Sequence, residues 1–225
     1  MVTILWQRYL KKKMNRFDKI KHKYYIGERQ LLSVTKFISR YTRPFNASMV
    51  AHMSSKRDGL PPEHYLDLWD LKRTISTNYG NSIHEAIELW IKYKEKPTQA
   101  HLLKAVEKFE EQFGHIEWQS EVKIFNEEYE LGGTIDLLSE NIIADIKTND
   151  TLKSEKKGNF IKPLNKVKVN NLNKVRLQTK IYQELLGKDM QRLVYMWNGE
   201  DFEVIELEDI DVSELLNERL LEISI

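Results

Sequence analysis

Two carboxylates and a lysine between Gly132 and Thr148 have the types and spacing of a metal-dependent hydrolytic site. The segment, GGTIDLLSENIIADIKT, predicts two short strands joined by a turn centred on Glu140 and Asn141. Because side chains alternate along a strand, Asp136 and Asp145 are expected to be cross-strand neighbours, with Cβ atoms about 5 Å apart. Carboxylates this close repel unless a cation lies between them or one stays protonated. A divalent cation with oxygen ligands is the natural partner.

Lys147 lies two residues after Asp145, so both side chains are expected on one face, with the lysine at the rim of the site. The opposite face is apolar enough to be core and carries Ile135, Leu137, Ile142, Ala144 and Ile146. The alternative is a solvated hairpin in which Lys147 pairs with Asp145 as an ordinary surface ion pair.

A histidine and a glutamate four residues apart indicate a second part of the site. His84 and Glu88 share a helical face that borders the apolar stripe of Ile83, Ile87 and Ile91. A neutral imidazole is a good metal ligand, and a neighbouring carboxylate can fix its tautomer from the second coordination shell. The alternative is an ordinary helical His–Glu pair.

Glu121 is a third candidate. A turn centred on Asn126 and Glu127 would place it opposite Gly132, on the face that carries Asp136. There it could complete a metal site, whereas the alternative is a glutamate on the surface of a strand.

Gln178 and Tyr182 are also four residues apart, beside the core stripe of Leu177, Ile181 and Leu185. Both side chains can hydrogen-bond a phosphate or brace Lys147 and the metal ligands. The alternative is the polar flank of a helix.

The ordered set resembles the RecB-like branch of the PD-(D/E)XK nucleases. The matching motifs, in chain order, are Gly80, His84 and Glu88; Glu121; Gly133 to Asp136; Asp145 to Thr148; and Gln178 with Tyr182. Ser33 to Thr35, Pro44 with Phe45, and Trp69 are similar in particular to the mitochondrial genome maintenance exonucleases and their phage relatives. The resemblance covers roughly Tyr25 to Leu186.

This resemblance implies cleavage of DNA phosphodiester bonds with Mg²⁺, or Mn²⁺, as the cofactor. It makes His84, Asp136 and Asp145 the metal ligands. It assigns catalytic or supporting roles to Lys147, Asp145, Asp136, Glu121, Gln178 and Tyr182. It also implies an exonuclease acting on single-stranded or flapped ends. A structure-selective or restriction-type endonuclease, or a nuclease-fold DNA-binding subunit without activity, stays open.

Basic residues indicate DNA as the partner, because phosphate contacts supply most nonspecific affinity. Ser33 and Thr35 at a predicted helix start could bind a phosphate through free backbone N–H groups. The other predicted DNA contacts are Lys36, Arg40, Lys162, Lys166, Lys168 and Arg176. The alternative for the basic segment 151–173 is a disordered linker.

The elements that carry these residues predict an α/β fold, with a central mixed sheet flanked by helices. One domain is expected over 1–225: a mainly helical part at 1–115, a sheet core at 116–210 with a mobile basic loop at 151–173, and an acidic terminal helix at 211–225. An amphipathic helix is predicted from Ile4 to Phe17, and a hairpin around Gly27. Asn78 to Asn81 either interrupts the helix that carries His84 or separates two helices.

Composition narrows the class of protein further. The 225 residues include no cysteine, which excludes disulfides, Cys-ligated zinc and iron–sulfur clusters. The net charge is +1, and no apolar run is long enough to cross a bilayer. Without a secretory signal pattern, we expect the protein in the cytoplasm of a bacterial or phage-infected cell, with an organellar matrix less favoured. We also expect a monomer. The sequence does not identify a helicase or recombination partner.

Overall fold

The computed structural model describes residues 14–148, 152 and 158–225. In chain order the elements are β1 (Asn15–Asp18), β2 (Lys23–Ile26), β3 (Arg29–Ser33), α1 (Val34–Ser39), α2 (Ala47–Asp58), α3 (Pro62–Tyr93), α4 (Ala100–Phe113), β4 (Gln119–Asn126), β5 (Leu131–Leu138), β6 (Ile142–Lys147), α5 (Asn171–Leu186), β7 (Gln191–Trp197), β8 (Phe202–Glu206) and α6 (Ser213–Ile223). Within these ranges no helix combines the length and apolar character needed to cross a bilayer.

The strands form one mixed sheet in the order β1-β2-β3-β5-β6-β7-β8, with β4 also paired to β5. The β3–β5 and β6–β7 pairs are parallel, and the remaining pairs are antiparallel. The predicted α/β class with a mixed central sheet is therefore confirmed.

One edge of β5 pairs with β4, and two strands, β3 and β6, share the other edge. β4 pairs with β5 along its whole length, from Leu131 to Leu138. On the other edge, β3 pairs only at Leu131 and Gly132, and β6 pairs only at Leu137 and Leu138. The stretch from Gly133 to Asp136 lies between these two ladders, so a fork opens in the sheet where polar side chains can be held.

Helices cover both faces of the sheet. α3 and α4 pack against one face, where Ile83, Ile87, Val106 and Phe109 are almost fully buried. α1, α5 and α6 contribute to a second core that includes Ile143. Both sides of β6 are therefore covered, and Ile143 is buried even though alternation assigned it to the polar face. Of the predicted apolar face, Ile135, Leu137, Ala144 and Ile146 are buried, and Ile142 is partly buried.

α3 is one uninterrupted helix of 32 residues, so neither a break nor a separation occurs between Asn78 and Asn81. Gly80 is tolerated inside it because the helix passes close to the end of β6. A Cβ at position 80 would lie 3.3 Å from Thr148 Oγ1. This approach places the next turn of α3, with His84, beside the fork.

Two segments differ from expectation. Asn15–Asp18 is strand β1 paired with β2, so the predicted helix does not extend to Phe17, while its part before residue 14 lies outside the described residues. The predicted mobile loop is a packed structure over residues 158–170. There Phe160 and Leu164 are buried, and the Phe160 N–H donates to the Val167 carbonyl. Phe160, Leu164, Val167 and Val169 stand among the lysines and pack against the second core, which explains this structure.

Candidate active site

The hairpin of β5 and β6 has the predicted register close to its turn. Leu137 pairs with Ala144 and Leu138 with Ile143. The ladder stops there, and Asp136 Oδ2 accepts the N–H of Ile146 at 3.0 Å. The carboxylate thus takes the place of a main-chain acceptor, because the strands part at the fork. Asp136 is held in the fork, where it experiences the charge of the buried Asp145.

His84 reaches this site from α3. Its Nε2 lies 2.9 Å from the carbonyl oxygen of Ile146, which can only accept a hydrogen bond, so Nε2 carries the proton and donates. Nδ1 lies 3.6 Å from Asp136 Oδ2 and is left as the coordinating nitrogen. Glu88 does not contact the imidazole and is instead ion-paired with Lys92. The tautomer-fixing role predicted for Glu88 therefore belongs to the Ile146 carbonyl.

Glu121 lies at the level of Asp136, not opposite Gly132 as predicted. Its neighbours Ser120 and Val122 pair with Leu137 and Ile135, while Phe125 occupies the position opposite Gly132. The register differs because four residues, 127–130, connect the strands where a two-residue turn was predicted. Glu121 has a φ of +55°, a left-handed conformation that costs a non-glycine residue about 1–3 kcal/mol. Such strain within a strand is typical of a residue held for a function.

His84, Glu121 and Asp136 form a compact ligand group. One ligand atom from each lies within 4.8 Å of the other two. One imidazole nitrogen and two carboxylates suit a divalent ion such as Mg²⁺ or Mn²⁺. The prediction placed Asp145 in this set and left the place of Glu121 open. The structure brings His84 and Asp136 together with Glu121, and Asp145 lies outside the group.

Asp145 is next to the ligand group and contacts Lys147. Its Oδ2 lies 2.5 Å from Lys147 Nζ, so the two side chains form a close ion pair. The Lys147 ammonium supplies the charge that compensates this buried carboxylate. Asp145 therefore adds negative charge next to the ligand group without belonging to it.

Burial and charge set the protonation of the site. Partial burial raises the pKa of Asp136 to about 6, helped by the nearby charge of Asp145 and opposed by His84, Lys147 and the Ile146 N–H. Burial alone would lower the pKa of Lys147, but Asp145 and Asp136 outweigh it, and that pKa is raised. Lys147 therefore stays an ammonium group. Lys123 and Lys147 each pair with one carboxylate, Glu121 and Asp145, which leaves Asp136 without a lysine partner of its own among the described residues.

Tyr182 closes the site from α5. A Cβ at Gly133 would lie 2.3 Å from Tyr182 Cε1, so the absence of a side chain there lets the ring rest on β5. Gln178 Nε2 donates to the Tyr182 hydroxyl at 3.2 Å. Burial raises the pKa of Tyr182, which keeps the phenol neutral. Of the two predicted roles for this pair, bracing the site fits the buried ring better than contact with a phosphate.

Sequence reasoning placed Thr134 on the face that carries Asp136 but did not identify Tyr24 and Lys123 as neighbours of the site. The Tyr24 hydroxyl lies 2.7 Å from Thr134 Oγ1, and Lys123 Nζ donates to Glu121 Oε2 at 2.8 Å. The sequence feature that could have indicated them is the pair of adjacent glycines, Gly132 and Gly133, inside a strand. A glycine there often marks the close approach of another group. Indeed, a Cβ at Gly132 would lie 2.5 Å from Tyr24 Cβ.

The predicted DNA-binding residues fall into two groups. Ser33 Oγ accepts the Lys36 N–H as the N-cap of α1, Arg40 is ion-paired with Glu222, and Arg176 donates to the carbonyls of Glu208 and Asp209. Ser33 and Arg176 thus have partners within the fold, whereas the ion pair of Arg40 lies on the surface and the arginine side chain is 47% exposed. Thr35, Lys36, Lys162, Lys166 and Lys168 are exposed as well, and contact of all these residues with DNA stays a prediction.

Comparison with known proteins gives distant likenesses. No family model matches the chain, and no curated protein matches it. A solved protein named SSO0001 shares 14% identity and a TM-score of 0.40, covering 88% of this chain and 78% of that one. A protein from Eubacterium rectale, named as a proposed exonuclease, shares 13% identity and a TM-score of 0.42, covering 86% and 79%. The functional inference therefore depends on the geometry of the site.

Proposed function

We propose that this chain is a Mg²⁺- or Mn²⁺-dependent deoxyribonuclease that hydrolyses phosphodiester bonds. The observation that supports it best is the convergence of His84, Glu121 and Asp136 beside the Asp145–Lys147 pair. A ligand group next to a lysine that stays charged can hold a cation and also stabilise negative charge on a phosphate. The finer assignment, an exonuclease of the PD-(D/E)XK class acting on single-stranded or flapped ends, rests on the motif resemblance.

The residues that would hold the cation are His84, through Nδ1, and the carboxylates of Glu121 and Asp136, with Asp145 Oδ2 next to them. When bound, a divalent ion would acidify a coordinated water and neutralise charge on the phosphate. Asp136 is expected to bind as the carboxylate, so binding should release the proton that this group holds below about pH 6.

Lys147 acts on the substrate in this proposal. Its side chain is 32% exposed, so the ammonium can reach a phosphate oxygen while Asp145 holds it in position. A preorganised cation at that point stabilises the charge that develops in the transition state. The Ile146 carbonyl fixes His84, and Tyr182 with Gln178 braces β5, so the reacting groups stay in place before substrate arrives.

The test compares end-labelled linear DNA with closed circular DNA at increasing Mg²⁺ or Mn²⁺. We expect degradation of the linear DNA and an intact circle. Cleavage of the circle would support the structure-selective or restriction-type endonuclease. Binding without cleavage of either substrate at any metal concentration would support a non-catalytic DNA-binding subunit.

Two variants separate the roles within the site. Asp145→Asn should abolish cleavage and weaken Mn²⁺ binding measured by calorimetry, because it removes charge beside the ion. Lys147→Ala should retain Mn²⁺ binding but lose about 100-fold or more in rate, the typical cost of removing one preorganised charge-stabilising group. Lys188→Ala is the matched control, since Lys188 is exposed just after the end of α5. Normal cleavage by Lys147→Ala would refute the catalytic assignment.

A further inference from the structure

The turn between β1 and β2 has an unusual combination of residues. Ile20 is 97% exposed. Lysines flank it at positions 19, 21 and 23, and we call residues 19–23 the hairpin tip. A single exposed apolar side chain is common on a protein surface and by itself indicates no function. Ile20 differs from the other exposed apolar side chains because it lies at the end of a turn among three lysines, on a hairpin whose base contacts the candidate active site.

The hairpin tip has a defined conformation. Asp18 pairs with Lys23 at the end of the ladder, and Asp18 Oδ1 accepts the Lys21 N–H at 3.0 Å, which closes the turn. His22 has a φ of +50°, the left-handed conformation that returns the chain into β2. Ile20 is therefore presented at a fixed place in the turn.

The base of this hairpin contacts the candidate active site. The rings of Phe17 and Tyr24 pair across the two strands with centroids 4.9 Å apart. The Tyr24 hydroxyl lies 2.7 Å from Thr134 Oγ1, two residues before Asp136. Lys123 Nζ lies 4.7 Å from the Phe17 ring centroid and also donates to Glu121 Oε2. Contacts thus connect the hairpin with Glu121 through Lys123, and with the strand that carries Asp136 through Thr134.

We propose that the hairpin tip is a wedge for the junction between duplex and single-stranded DNA. Ile20 would insert at the last base pair, and the flanking lysines would contact the phosphates of the two parting strands. Apolar wedges that unstack base steps are an established means of opening DNA, and lysines supply the salt-dependent affinity. The inference rests on the proposed nuclease function, and it assigns the recognition of the junction to a specific part of the chain.

The position of the hairpin tip favours DNA over a membrane surface or a protein partner. The base of the hairpin contacts Thr134 on β5 and Lys123 on β4, so a junction held by Ile20 would place its single strand on the side of the molecule where β5 carries Asp136. The strand parted at the tip would then be the one that is cut. A membrane or protein partner at this place would instead cover the approach to the site.

The first experiment measures cleavage of one labelled strand, alone and within a forked duplex, with the flap on the 5′ or the 3′ side. Ile20→Ala and Ile20→Asp should lower the fork-to-single-strand rate ratio about tenfold, because the apolar side chain that would stack against the last base pair is lost. Cleavage of the free strand should stay within about twofold of the parent, because the tip acts only at a junction. Leu221→Ala is the control, since this side chain is 69% exposed on α6.

A second experiment needs no catalysis. A 2-aminopurine at the last base pair of the fork becomes brighter when it is unstacked, and in EDTA the parent should brighten it while the two Ile20 variants should not. Neutralising the three tip lysines to Gln should flatten the dependence of log affinity on log salt by about one unit per lost contact.

The outcomes separate the two proposals. If the parent cuts DNA but the Ile20 variants keep its fork-to-single-strand ratio, the wedge is refuted and the nuclease stands. If the parent cuts nothing but brightens 2-aminopurine through Ile20, the nuclease proposal fails and the wedge stands. Absence of brightening by the parent refutes the wedge in either case, and binding to lipid vesicles that depends on Ile20 would assign the tip to a membrane instead.

Discussion

Replacing Asp136 with Asn tests the electrostatics of the site without measuring catalysis. Burial and Asp145 raise the pKa of Asp136 from 3.8 to about 6. A carboxyl with a higher pKa in the folded state makes the folded state bind more protons. Stability is therefore lost as pH rises from about 4 to about 6, and stays low above that. At 1.36 kcal/mol per pKa unit, the ionised Asp136 costs the metal-free protein about 3 kcal/mol at neutral pH.

Asp136→Asn removes this cost and retains an oxygen that can accept the Ile146 N–H. In EDTA at pH 7.5 we expect the variant to have the higher free energy of unfolding, by up to about 3 kcal/mol. At pH 4 the difference should fall to near zero, because the parent carboxyl is then largely protonated. Urea unfolding followed by tryptophan fluorescence at both pH values measures this directly.

Adding metal should cancel most of this difference in stability. Mn²⁺ at about 100 times its dissociation constant stabilises the folded parent by about 2.7 kcal/mol, and the variant, which lacks a ligand charge, should gain much less. Asp67→Asn, an exposed carboxylate on the helix that carries His84, is the matched control. A variant that is destabilised equally at pH 4 and pH 7.5 would refute the reasoning, because the role of Asp136 would then be only structural.

Three further results are expected. His84→Ala should raise the metal concentration needed for half-maximal cleavage by about tenfold or more. Glu88→Ala should change that concentration little, because Glu88 pairs with Lys92. Equal effects of the two variants in a metal titration would contradict the geometry. Gly133→Ala should destabilise the fold by about 1–3 kcal/mol by displacing the Tyr182 ring, and unchanged urea unfolding would show that the ring is not seated on β5. Neutralising the exposed lysines of residues 158–170 should flatten the salt dependence of DNA binding by about one unit per contact, and an unchanged slope would exclude them as phosphate contacts.

Local pattern in the sequence determined much of the framework. The register near the β5–β6 turn follows from alternation and turn chemistry, with the Ser139 hydroxyl accepting the Ile142 N–H. A helix start at Ser33 to Thr35 was predicted, and the Ser33 Oγ accepts the Lys36 N–H as the N-cap of α1. The proximity of Asp145 to Lys147 also followed, because residues two apart in a strand share a face. Each of these features involves neighbours within a few residues, where backbone geometry leaves few choices.

Only the tertiary structure decided which groups meet at the fork. Glu121 reached the ligand group because a longer connection between β4 and β5 changed the register. Glu88 lost its predicted role because a carbonyl 62 residues away along the chain is nearer to His84 than its own helical neighbour. Periodicity indicates which side of an element a residue lies on, but it does not give the distance between two elements. That distance depends on turn length, on small residues such as Gly80 and Gly133 that allow close packing, and on the point where two strands part along a shared edge. These are properties of the whole packed chain, and no single segment of the sequence contains them.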